Sequence, residues 1–378
     1  MDNPLLKIKQ YGQSIWMDFI GRSTITSGEL KRLILEDGIC GITSNPDIFE
    51  KAILESHDYD DAIDQLVMQD KSKAEIYDIL TIEDIQKAAD ILLPVYEQTR
   101  QTDGYVSLEV SPHMAFDTSS TIKEARRLWK AVNKPNLMIK VPGVKEGIPA
   151  VEKLISEGIN VNITLLFDLD RYQDIAEAYI SALEYRLDKN KHIDMIVSVA
   201  SFFLSRIDTL ADQKLQEVIK QKPELADKAR SLIGQVAIAS AKTAYKMYKT
   251  MFFSDRFKEI EKNWGRRQRL LWASTSTKDP AYSDVKYVEA LIGPDTINTL
   301  PLKTIKAYRD HGNPAERIEE GLAEAVNTLS ALKEVGVNLK DITKQLEKEA
   351  VEKFIKPYDK LLNTIDSKIR EVQVKHHE

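Results

Sequence analysis

Cysteine, long apolar runs and clustered metal ligands are what this sequence lacks. It holds one cysteine, Cys40, in 378 residues, so no intrachain disulfide can staple it, and a reducing, cytoplasmic compartment is the expectation. No stretch approaches the roughly 18 consecutive apolar residues of a membrane span, and the opening MDNPLLKIKQYG has no secretory h-region. Six histidines are scattered without the spacing of a metal site. Phosphate-loop and dinucleotide fingerprints are missing as well, so neither a metal nor a cofactor is expected. Positive charge is also in short supply. Against 59 Asp+Glu stand 53 Lys+Arg, a net charge of -6, whereas nucleic acid or an anionic membrane calls for a basic footprint.

What is present is ample apolar material, 43% of the chain, which excludes a disordered protein. Short apolar runs recur at Ile15–Ile20, Gly38–Thr43, Tyr105–Val110, Leu137–Val141, Val161–Leu165, Met195–Ala200, Leu270–Ser274 and Thr296–Leu300. Their length and β-branched or aromatic content suit buried parallel strands. Amphipathic segments lie between them. Asp117 caps Thr121–Val132, Asp168 caps Leu169–Leu187, and Pro149 sits near the start of Glu146–Glu157. Such alternation predicts an α/β protein, a single (β/α)8 TIM barrel. An open doubly wound sheet would carry a Gly-rich first turn that is absent.

Two intervals are too long for one helix each, so extra helices are expected after strands 2 and 6. The first holds Asp58–Gln69, Ser72–Leu80 and Ile82–Glu97. The second includes Pro223–Tyr248 and Phe253–Gly265. Pro314–Glu334 follows the last strand, and a C-terminal helical extension begins at Leu339, which Pro357 should kink or break. That extension has three open placements: over the barrel mouth, against its side, or in a homodimer.

In such barrels the C-terminal strand ends build the site. Here those ends supply Asp18, Thr43-Ser44-Asn45, Glu109, Lys140, Asn162 with Thr164, Ser198 with Ser201, and Ser274-Thr275-Ser276. Asp18, Glu109 and Lys140 are charges embedded in apolar strands. Such charges are rarely buried unless they pair or do chemistry. A lysine at a strand end flanked by carboxylates suggests a Schiff base, formed by a neutral amine on a ketone while the carboxylates move protons.

Gly41-Ile42-Thr43-Ser44-Asn45-Pro46 and Ile139-Lys140-Val141-Pro142-Gly143 closely resemble the two signature segments of transaldolases. The resemblance runs from Trp16-Met17-Asp18 to Asp310-His311-Gly312 and is closest to the longer bacterial members. It implies a metal-free, class I aldolase that moves a dihydroxyacetone unit from sedoheptulose 7-phosphate to glyceraldehyde 3-phosphate. The products are erythrose 4-phosphate and fructose 6-phosphate. By this resemblance Lys140 forms the Schiff base and Asp18 takes the C4 hydroxyl proton. Glu109 assists dehydration through a water held by Thr164. Asn45, Asn162 and Ser201 hold the three-carbon enamine. Arg206, Ser274 and Lys278 are the expected phosphate ligands, sugar phosphates the expected partners.

The chain departs from the family pattern at Asp47, Val144 and Ser276, none of them a catalytic position. The related fructose 6-phosphate aldolases release free dihydroxyacetone and favour Gln where Glu109 stands and Tyr where Phe203 falls. Both positions favour transfer. A non-catalytic sugar-phosphate-binding paralogue is the remaining alternative, and it has no need of a strand-buried lysine. Arg266-Arg267-Gln268-Arg269 reads as a solvated loop rather than a nucleic-acid patch. Trp129, Trp264 and Trp272 read as packing residues, and Cys40 as a buried small hydrophobe.

Overall fold

All eight apolar runs are strands in the computed structural model, which describes residues 3–377. They are β1 (Gln13–Met17), β2 (Ile39–Ile42), β3 (Tyr105–Glu109), β4 (Leu137–Pro142), β5 (Val161–Leu166), β6 (Ser198–Phe203), β7 (Arg269–Ala273) and β8 (Thr296–Leu300). All pair in parallel and in sequence order, and β8 returns to β1 to close the barrel. Except for Ser14, Cys40 and Arg269, every strand residue is buried. That follows from a parallel sheet filled by side chains inside and covered by helices outside. Gly41 on β2 is required by packing, because a Cβ there would lie 2.4 Å from the Trp16 ring.

β6 starts three residues later than its apolar run suggests. Asn160 Oδ1 takes the Val197 N–H at 2.9 Å, so Val197 is held by a side chain and the ladder begins at Ser198. The segments Ser72–Leu80 and Ile82–Glu97 form one helix, Lys73–Gln98, opened by a Ser72/Glu75 capping box. Pro46–Leu54 is a further helix that sequence periodicity did not single out. Conversely, Pro223–Tyr248 is broken into Ala226–Leu232 and Val236–Phe252. Gly234 lies between them at φ +70. Phe253–Gly265 shrinks to Asp255–Glu261, and Pro314–Glu334 to Leu322–Glu334.

Pro357 does not end the C-terminal helix, which runs unbroken from Leu339 to His377. Val351 and Phe354 before it, and Leu361 and Ile365 after it, are buried. Burial on both sides outweighs the roughly 3 kcal/mol that an interior proline costs. The helix starts beside the end of β5, where Thr343 donates to Asp168 at 3.0 Å. Farther along it packs on Pro46–Leu54, Asp60–Val67 and Lys73–Gln98. Asp359 meets His113, and Lys360 and Lys368 pair with Glu50 and Asp60. It therefore crosses the C-terminal mouth of the barrel, the first of the three placements. Among the described residues, no helix is long and apolar enough to cross a membrane.

Arg266-Arg267-Gln268-Arg269 is not a solvated loop. Gln268 is fully buried and donates to Ser198 Oγ at 2.9 Å. Arg266 donates to the Asp194 carbonyl and to Gln101, and Arg267 lies 3.8 Å over the Phe253 ring. Arg269 bonds Asp103 at 2.9 Å, and that carboxylate also accepts from Ser14 and Trp16. The segment thus plugs the N-terminal end of the barrel. Of the tryptophans, Trp272 is buried, whereas Trp264 is 78% exposed and packs little. Cys40 is partly buried, its thiol donating to the Ile15 carbonyl at 3.3 Å.

Removing the arginine would leave Asp103 buried and unpaired. Arg269→Met is expected to lower stability by about 3–5 kcal/mol in urea unfolding at neutral pH. Adding Asp103→Asn should recover part of that loss. An unchanged unfolding midpoint in the single variant would show that the pair does not hold the barrel base.

Candidate active site

Strand register builds the centre of the site. Glu109 on β3 stands opposite Lys140 on β4, and Lys140 opposite Asn162 on β5. Register partners in a parallel sheet share a face, so the three side chains enter the barrel side by side. Lys140 is buried, its Nζ donating to the Ser44 carbonyl at 3.0 Å and lying 3.7 Å from Glu109 Oε2. Burial pushes the Glu109 carboxyl up to about 7, although the Lys140 ammonium favours its charged form. Neither Glu109 oxygen nor Thr164 Oγ1 has a hydrogen-bond partner among the described residues. Asn162 donates to Ser107 Oγ at 3.0 Å and accepts from Ser201 Oγ at 2.6 Å. It is therefore fixed from both sides.

Asp18 follows β1 and accepts from Thr43 Oγ1 at 2.7 Å. The Thr43 hydroxyl has a single proton, so Thr299, 2.7 Å away, must be its donor in turn. Burial raises the Asp18 carboxyl above the ordinary range, and Lys140 and Thr43 oppose that shift. Asn45 caps the helix Pro46–Leu54 through its Oδ1, 3.0 Å from Ile48 N. Its side chain also borders the open space at the barrel mouth.

That space is a cavity of about 540 Å³ at the C-terminal end of the barrel. Asp18, Asn45, Lys140, Ser201, Phe203, Arg206, Ser274 and Lys278 line it together. Glu109, Asn162 and Thr164 lie in the strand wall beneath. Arg206 opens the helix Ser205–Gln221, its guanidinium 5.6 Å from the Phe203 ring centre. Burial lowers the proton affinity of both Arg206 and Lys278, the latter further depressed by Arg206 and Lys51. Ser274 takes a left-handed backbone, φ +55, which sets its hydroxyl 2.8 Å from Ser205 Oγ. Among the described residues, no group of three or more His, Cys, Asp or Glu converges to hold a metal ion.

Comparison with known proteins gives the same architecture a lineage. The profile of the transaldolase/fructose-6-phosphate aldolase family matches residues 15–365. The chain belongs to that family. It is 50% identical over 374 residues to the transaldolase of Trichodesmium erythraeum, covering 98% of each chain. A protein named transaldolase 2 from Nostoc is 49% identical over 97% of this chain and 98% of its own. The transaldolase of Thermobifida fusca is 41% identical over 97% and 98%.

Several family-site neighbours escaped the sequence reading. Thr299 and the roof residues Lys353 and Phe354 also face the cavity or its acid, as does Lys51 from the helix after β2. Thr43 was visible at its strand end, but nothing in the sequence told that it bonds Asp18. Lys353 lies more than 200 positions from Lys140 in the chain, and no local pattern tells that the two line one cavity.

The displaced Glu109 carboxyl has a stability consequence with a definite sign. It binds its proton more tightly when folded, at about 7, than at the ordinary value of 4.5. Its contribution to stability is therefore present below about 4.5 and is lost as pH rises toward 7. Glu109→Gln should flatten the fall in urea midpoint between pH 5 and pH 8 relative to the unmodified chain. An identical pH profile in both proteins would refute the shift.

Proposed function

We propose that the protein is a cytoplasmic transaldolase that moves a dihydroxyacetone unit between sugar phosphates through a Schiff base on Lys140. The observation that carries this reading is the row Glu109, Lys140, Asn162 at the floor of a cavity that has Asp18 on one wall and Arg206 and Lys278 toward its mouth. An amine, two carboxylates and a cationic end lie in one enclosure.

In this reading the neutral Lys140 amine adds to the ketose C2 carbonyl. The carbinolamine hydroxyl leaves as water, with Glu109 supplying the proton and the free Thr164 hydroxyl holding that water. Asp18 then accepts the C4 hydroxyl proton as the C3–C4 bond breaks, which releases an aldose phosphate. The electron pair of that bond passes into the iminium, leaving a three-carbon enamine. Asn45, Asn162 and Ser201 hold its hydroxyls. The enamine attacks the aldehyde carbon of the acceptor, Asp18 returns its proton to the new hydroxyl, and water frees Lys140. The phosphate end sits on Arg206, Lys278 and Ser274, where a planar guanidinium suits a phosphate. Phe203 packs against Phe167 with ring centres 5.3 Å apart and gives that end an apolar wall.

Borohydride reduction in the presence of fructose 6-phosphate should leave a three-carbon adduct on Lys140, detected by peptide mass spectrometry and absent from Lys140→Met. Asp18→Asn should lower transfer from fructose 6-phosphate to erythrose 4-phosphate by about 10²–10⁴-fold. Labelling of Lys140→Met, or its retained activity, would end the Schiff-base assignment. Free dihydroxyacetone formed without any acceptor aldehyde would replace transfer by simple aldol cleavage.

A further inference from the structure

The roof of the cavity supplies a cation that the strand-end site does not contain. Lys353 and Phe354 of the C-terminal helix both line the cavity. Phe354 is buried and anchors that turn, whereas the Lys353 side chain is 54% exposed. Across the cavity stand Lys51, Arg206 and Lys278. Lys353 is occupied by a carboxylate four residues earlier, its Nζ donating to Glu349 Oε2 at 3.0 Å. The other Glu349 oxygen accepts from Gln345 at 2.7 Å. Arg206 also feels the Glu349 carboxylate. Lys51 is held in the same way, 2.7 Å from Asp47, again four residues earlier.

Exposed pairs of this spacing are weak and easily exchanged. A phosphate dianion carries more charge and more acceptor oxygens than a carboxylate. It can therefore displace Glu349 at small cost and draw Lys353 inward. Because Lys353 rides on the helix that spans the mouth, the same contact ties the roof to the ligand.

We propose that Lys353 is a substrate-binding residue selecting phosphorylated sugars, and that Glu349 is the internal carboxylate which the phosphate displaces. This rests on the phosphate end assigned above to Arg206 and Lys278. It adds to the site a residue from the C-terminal extension, outside the barrel strands and the loops that follow them.

Steady-state kinetics on the full chain test it, with inorganic phosphate as a competing probe. Lys353→Met should raise KM for fructose 6-phosphate and weaken phosphate inhibition by about tenfold, the scale of one charge-assisted contact, with kcat nearly unchanged. It should also cut the preference for glyceraldehyde 3-phosphate over unphosphorylated glyceraldehyde, and Lys353→Arg should restore it. Glu349→Gln should act in the opposite direction, lowering KM and strengthening phosphate inhibition. If Arg206→Ala leaves phosphate inhibition intact, the phosphate end itself is misassigned. If Arg206→Ala weakens it while Lys353→Met and Glu349→Gln do not, only the role of the roof is overturned. A loss of kcat in Lys353→Met at constant KM would likewise overturn it.

Discussion

An amine and a carboxylate 3.7 Å apart inside a closed parallel barrel are the constraint to which the remaining site answers. Each charge alone would cost several kcal/mol to bury. Side by side, Lys140 and Glu109 can share that cost, because adjacent strands deliver them in register. Their pairing is not complete neutralisation. Glu109 is held with no hydrogen bond from the described protein, and its carboxyl rises to about 7. A group so placed can change protonation near neutral pH with little rearrangement, which suits a proton donor for dehydration.

Rigid surroundings keep that arrangement from collapsing. Ser44 offers Lys140 a carbonyl rather than a second full charge, and its own hydroxyl is tied to the Ser107 carbonyl at 2.7 Å. The Thr43–Thr299 hydroxyl relay orients Asp18 across the β8–β1 closure. At the opposite end, Arg269 and Asp103 join the start of β7 to the loop before β3. Chemistry is placed at one end of the barrel, and much of the ion pairing that closes it at the other.

The net charge of -6 would repel doubly charged sugar phosphates over long range, so attraction has to be local. The cavity mouth meets this with four cations, Arg206, Lys278, Lys51 and Lys353. Two of them are balanced by Asp47 and Glu349 one turn away on their own helices. Asp47, which departs from the family pattern, is thus partnered rather than an isolated negative charge beside the site.

How much of this was legible depended on the range of the interaction. All eight strands could be read, because buried strands leave short β-branched runs and the turns between them are local. Asp18, Glu109 and Lys140 stood out because a charge inside an apolar run contradicts its surroundings. β6 was misplaced by three residues because an apolar run does not say where its ladder begins; the Asn160 side chain decides that. The helix through Pro357 and the hydrogen-bonded Arg266–Arg269 segment were misread for a related reason. Local rules count a missing N–H or four polar residues, but the compensating burial and ion pairs come from distant parts of the chain. The sequence by itself determined the strands, the barrel they imply and the residue types at their ends, all of which follow from nearest neighbours and backbone periodicity. Only the tertiary structure decided that the last helix roofs the mouth, and that Lys353 lines the same cavity as Arg206. Contacts across such separations in the chain depend on how whole surfaces pack.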